Sequence, residues 1–176
     1  MVKNYKLGKI LYKVLRYAEL NSNVNLSEVF LTENEDFSCN LQFKQITFSE
    51  ITDAYFIEYI DDYLEEKFNL PSYKTMYNYG TEIFALLHEI GHIANIGDPK
   101  TTMLPYYYKE LSKAGFIGNE DNTPYTEFIN YRNIPGEQLA DKFAADFINK
   151  HYIDLCKIAC DIDTDEEAEE ILLQWA

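Results

Sequence analysis

Cysteine, histidine, tryptophan and proline are scarce in this chain of 176 residues, and basic residues are outnumbered two to one by acidic ones. The three cysteines, Cys39, Cys156 and Cys160, are too few and odd in number for the disulfide framework of a small secreted domain. No apolar run approaches the roughly 20 residues that a membrane-spanning helix needs. No secretory hydrophobic core follows Met1–Lys6, so a cytoplasmic location with reduced thiols is expected. No Gly/Ser/Pro-rich linker and no internal repeat divides the chain. A single domain over 1–176 is expected, with an N-terminal helical and extended part (1–53), a core (54–150) and C-terminal helices (151–176).

Against 15 basic residues stand 30 acidic ones, a net charge of −15. Such a surface repels phosphate backbones, so direct nucleic-acid binding is not expected. Lys3, Lys6, Lys9, Lys13 and Arg16 form a local exception, best explained as the solvated face of an amphipathic helix. Hydrophobic residues make up 47% of the chain, enough to build a core.

Leu7, Ile10, Leu11, Val14, Leu15 and Ala18 recur at helical spacing and predict a helix over 5–20. Leu41, Phe43, Ile46 and Phe48 suggest extended chain. Ala54–Ile60 is aromatic and β-branched enough to be favoured as a strand, the alternative being one long helix running from Ser49 to Phe68. Ile83, Leu86, Leu87, Ile90 and Ala94 predict an amphipathic helix that begins between Asn78 and Thr81 and ends at Gly97. Turn formers dominate 98–134, with a short helix expected at Tyr107–Ala114. Pro135 suits a first helical position, and Leu139, Ala140, Phe143, Ala144 and Phe147 carry a helix to about Lys150, with continuation through Ile158. A last helix is expected from Thr164 to Trp175, opened by a capping box with Glu167. The pattern as a whole is α+β and mainly helical, with a small sheet.

The predicted helix at 80–97 contains His88-Glu89-Ile90-Gly91-His92, and it holds two of the chain's three histidines. Residues i and i+4 stack on one helix face, so both imidazoles can reach one metal ion. Glu89 is then placed to reach a water held by that ion rather than the ion itself. Zinc suits such a pair, taking a third protein ligand and leaving a fourth position to water. Glu137 and Asp141, another i, i+4 pair, supply a candidate third ligand (Glu137) and a carboxylate to accept the outer N–H of His88 or His92 (Asp141). Asp98 and His151 are rival third ligands. The bland alternative makes Glu137 and Asp141 ordinary solvated acids at a helix N-terminus.

With these residues in view, Leu86-Leu87-His88-Glu89-Ile90-Gly91-His92-Ile93 and Glu137-Gln138-Leu139-Ala140-Asp141-Lys142-Phe143-Ala144-Ala145 together resemble the ImmA/IrrE family of zinc metallopeptidases. That family pairs an HE(L/I)GH helix with an E-x-x-A-(N/D)-x-F-A helix. The resemblance spans about 54–97 and 135–149. It implies a zincin-like core with a small sheet beside the active-site helix, zinc held by His88, His92 and Glu137, and Glu89 as general base. It also implies a protein substrate, with helix-turn-helix repressors as the class. The stretch between the two motifs is long for the family, and Tyr73–Tyr79 is unusually rich in tyrosine.

Such a peptidase needs a donor for the oxyanion. Tyr106, Tyr107, Tyr108, Tyr125, Tyr131 and His151 are candidates, and Ala54–Ile60, as a strand, would offer an edge for a substrate peptide. A different class of function is a catalytically silent protein of the same fold that sequesters a protein partner. Cys156 and Cys160 share a helix face and fit a core better than a metal site. Asp161–Asp165 resembles a calcium loop but lacks the glycine and the final acid that such a loop requires.

Overall fold

In the computed structural model, the described residues are 5–32, 37–49, 54–70, 79–98, 109 and 123–162. The elements run α1 (Tyr5–Asn21), β1 (Glu28–Thr32), β2 (Ser38–Asn40), β3 (Gln45–Ser49), α2 (Ala54–Phe68), α3 (Gly80–Ala94), α4 (Pro124–Arg132), α5 (Pro135–Lys150) and α6 (Tyr152–Cys160). The protein is α+β, mostly helical with one three-stranded sheet. No helix among the described residues is long and apolar enough to cross a membrane.

Helix α1 forms because its apolar residues fall on one stripe. Leu7, Ile10, Leu11, Val14, Leu15 and Ala18 are all buried, while Lys9, Lys13 and Arg16 face outward. Lys13 pairs with Asp161 at 2.6 Å and Arg16 with Glu19 at 2.5 Å, so these bases serve a solvated face.

The sheet has the order β1-β3-β2. β1 runs parallel to β3 and β2 antiparallel to it, with Val29 opposite Ile46 and Cys39 also opposite Ile46 on the other side. Ile46 and Phe48 are buried and their neighbours Gln45 and Thr47 only partly so, the period-two pattern of a sheet with one covered face. Leu41 and Phe43, expected to be extended, lie in the turn between β2 and β3.

The strand favoured at Ala54–Ile60 is instead the first half of α2. Ile60, Tyr63 and Leu64 are buried at i, i+3 and i+4, whereas Asp62, Glu65, Glu66 and Lys67 are exposed. That stripe is helical, and tertiary burial overrides the local β propensity. With α2 a helix, the edge strands of the sheet among the described residues are β1 and β2.

Helix α3 is buried along nearly its whole length and packs on α1, α2, α5 and the sheet. It ends at Ala94, short of Gly97, where the Asn95 N–H and side-chain amide both donate to the Gly91 carbonyl, the latter at 2.7 Å, and the Ile96 N–H closes a tighter turn onto the Ile93 carbonyl. The segment expected as turns contains α4, with Pro124 at its first turn and Thr123 Oγ1 accepting from the Thr126 N–H. Helix α5 spans the residues expected for it. The continuation breaks at His151, which closes α5 and opens α6. Cys156 is buried and Cys160 packs against the core, as expected of core thiols. The helix expected at 164–175 lies outside the described residues, as does nearly all of that at 107–114.

Candidate metal centre

Helices α3 and α5 meet at closer than usual range. A Cβ on Gly91 would stand 2.7 Å from the Ala140 carbonyl oxygen and 2.9 Å from its Cα. Only hydrogen fits there, so the glycine inside the His-Glu-x-Gly-His motif is a spacing residue. This approach brings the second helix's carboxylates to the first helix's imidazoles.

Three donor atoms converge between them. His88 Nε2 lies 3.0 Å from Glu137 Oε2, His92 Nε2 lies 3.6 Å from the same oxygen, and the two imidazole nitrogens are 3.1 Å apart. Ligand atoms about 2.0–2.1 Å from one tetrahedral ion stand about 3.3 Å from each other, so the triangle has the size of a zinc face. Glu89 Oε1 is 4.0 Å from His88 Nε2, at the side of the triangle. His88, Glu89 and His92 also form a compact group of potential ligands in their own right.

The proton positions follow from the neighbours. Asp141 Oδ1 accepts from His88 Nδ1 at 2.8 Å and from Arg132 Nη1 at 2.6 Å, and its Oδ2 accepts from the Tyr63 hydroxyl at 2.9 Å. A carboxylate only accepts, so His88 carries hydrogen on Nδ1 and, when neutral, turns a bare Nε2 towards the triangle. Glu137 is 1% exposed, and its Oε2 stands beside the two imidazoles without a hydrogen bond of good geometry. A buried carboxylate oxygen set against two imidazole nitrogens is an arrangement that a cation satisfies.

The alternative that left Glu137 and Asp141 in solvent is overturned by their burial, at 1% and 0% exposure. Burial opposes ionisation of Glu137, but hydrogen bonding and charge from His88 and His92 prevail and hold it well below the usual carboxylate range. Asp141 is likewise opposed by burial, and Arg132 and His88 bring it below its ordinary value. Burial also works against an imidazolium at His88. Its bonds to Asp141 and Glu137 outweigh that and raise it to about 9. Glu89 moves upward, chiefly through burial, with the two imidazoles opposing.

Three neighbours were not anticipated from the sequence. Arg132 ends α4 and is 4% exposed, Tyr63 projects from α2, and Cys39 of β2 brings its thiol close enough to Glu89 for each to shift the other's ionisation. Burial pushes the Cys39 thiol up, and the carboxylates of Glu89 and Glu137 push it further. For Arg132 the available signal was Thr123-Pro124, which announces a helix leading to it.

The rival ligands stand elsewhere. Asp98 sits in the turn after α3, its N–H bonded to the Asn95 carbonyl, and does not join the triangle. His151 belongs to a separate cluster, with Nδ1 3.0 Å from the Tyr17 hydroxyl and its ring tilted over Phe147. That hydroxyl also donates to Asp154 at 2.5 Å. Tyr125 packs on Tyr59 and is exposed, while Tyr131 lies under the Arg132 guanidinium. Tyr106, Tyr107 and Tyr108 fall outside the described residues.

Comparison of the chain with protein-family models, with curated proteins and with solved structures gives no match.

Proposed function

We propose that this protein is a cytoplasmic, zinc-dependent metallopeptidase of the ImmA/IrrE type, hydrolysing a peptide bond in a specific protein, with helix-turn-helix repressors as the substrate class to test first. The observation that carries this reading is the donor triangle of His88, His92 and Glu137, with a buried carboxylate oxygen at one corner and Glu89 alongside.

A zinc ion held by those three side chains would supply Lewis acidity and lower the pKa of a water towards about 7. Glu89 would accept a proton at its carboxylate from the attacking water and return it to the departing amine nitrogen. Its raised pKa suits both halves of that transfer, since the group must release what it has accepted. Asp141 keeps hydrogen on His88 Nδ1 throughout, so that the other ring nitrogen stays a ligand. The outer edge of β2, which packs on α3 and carries Cys39 against Glu89, offers backbone groups to an extended peptide. This edge takes the part that the expected strand at 54–60 cannot play.

The test is zinc content of the purified full chain. Wild type should hold one equivalent, and His88→Ala and Glu137→Ala should lose it. Glu89→Gln should keep the metal and lose cleavage of candidate repressors and of a peptide library. Unchanged stoichiometry in both ligand variants would sink the assignment. Stable complexes with a partner and no cleavage, with zinc bound and Glu89 intact, would favour the sequestering protein instead.

A further inference from the structure

The two imidazoles are supported unequally. His88 Nδ1 is held by Asp141, and Asp141 is held in turn by Arg132 and Tyr63. His92 meets His88, Glu89 and Glu137, and among the described residues no carboxylate is hydrogen-bonded to its other nitrogen as Asp141 is to His88 Nδ1.

Arg132 is itself fixed from several sides. Its guanidinium lies over the rings of Phe128 and Tyr131, at 5.5 and 5.8 Å. Phe128 packs against Tyr59 and Tyr63 at 5.9 and 5.7 Å, which joins α4 to α2. The guanidinium therefore arrives at Asp141 from a braced helix end. Only one nitrogen, Nη1, bonds the carboxylate, and it lies 3.3 Å from His88 Nδ1.

We propose that Arg132 is a positioning residue: by fixing Asp141 it aims His88 Nε2 at the cation, so that His88 is the preformed ligand and His92 the adaptable one. The proposal rests on the metal-centre reading above. Without Arg132, Asp141 keeps two donors, both on side chains that can follow its rotation, and the ring it orients is no longer held.

The experiment measures zinc affinity of the full chain by competition with a chromogenic chelator, together with the visible absorption of the cobalt-substituted protein. Arg132→Met should weaken zinc binding by about 10–100-fold, the usual cost of losing a partner behind a ligand, and shift the cobalt bands. Arg132→Lys should recover part of the affinity, because an ammonium can make the single-nitrogen contact but does not stack on the two rings as the guanidinium does. Ile129→Val, a packing change in the same helix at a residue set against the core, should lower thermal stability and leave affinity and spectrum unchanged. Should Arg132→Met not fold, Tyr63→Phe acts on the same carboxylate with a smaller, severalfold loss. The proposal is overturned by an Arg132→Met variant that binds zinc as tightly as wild type or tighter, by a lysine variant no better than methionine, or by equal weakening in Ile129→Val. A wild-type chain that takes up no zinc overturns the metal centre as well, which separates the two failures.

Discussion

On the α4 side of the centre, both oxygens of Asp141 have donors and the carboxylate is fully buried. On the sheet side, Glu89 and His92 are partly exposed. Between them lies Glu137, buried like Asp141 but with the two imidazoles as the neighbours of its Oε2. The contrast separates scaffold from working face. Polar groups that must not move are saturated with partners, and those that must exchange ligands are left short of them.

Breaking the saturated side should have the largest effect. Asp141→Ala strips the buried guanidinium of Arg132 of its carboxylate, and a loss of about 3–5 kcal/mol is expected by chemical denaturation, whether or not metal is present. Glu137→Gln, one turn away on the same helix, should abolish zinc uptake at a much smaller cost to the metal-free fold. Equal destabilisation by the two changes would erase the distinction drawn here. Gly91→Ala comes next. Its Cβ would press on Ala140 and on Phe143 Cβ at 3.1 Å, and backbone cannot step aside as a side chain can. A cost of about 1–3 kcal/mol is expected, with weakened zinc binding as α3 and α5 part.

Acidity sharpens the same comparison. The pKa of His88 is raised from 6.5 to about 9 in the metal-free fold. A raised value contributes stability that is complete below the unfolded pKa and is lost as pH climbs through the folded one. The metal-free chain should therefore melt at a lower temperature at pH 9 than at pH 7. The zinc-loaded chain should show little of this slope, because the same nitrogen is then committed to the ion. A slope that is identical with and without zinc would remove His88 as the cause. The smallest effect belongs to Cys39. Cys39→Ala should leave zinc affinity intact and slow turnover severalfold, the equivalent of about 0.5–1.5 kcal/mol for one hydrogen bond, and Cys39→Ser should restore it.

Much of this was legible in the residues. The apolar stripe of α3 and the Pro135 start of α5 identified both site helices, because strong 3.6-residue periodicity survives any tertiary context. The i, i+4 pairs within them were legible for the same reason. What the sequence could not supply was the approach between helices, which decides that Glu137 meets the imidazoles while Asp98 and His151 do not. α2 was misjudged because Ala54–Ile60 is rich in β-formers, and only the buried spacing of Ile60, Tyr63 and Leu64 reveals its helical face. β1 and β2 were missed altogether. At five and three residues they are too short to display alternation, and pairing with β3 is what defines them. Arg132 escaped notice because a lone arginine carries no periodic signal.

The near-contact at Gly91 has a practical outcome for anyone wishing to build a smaller version of this protein. Main chain rather than side chain fills the gap at that crossing, so repacking the surrounding interior offers no adjustment of the separation between the two helices. A miniature would have to inherit the crossing whole, with glycine on one rod and alanine on the other. It would also have to keep Tyr63 and Arg132, which reach Asp141 from α2 and α4.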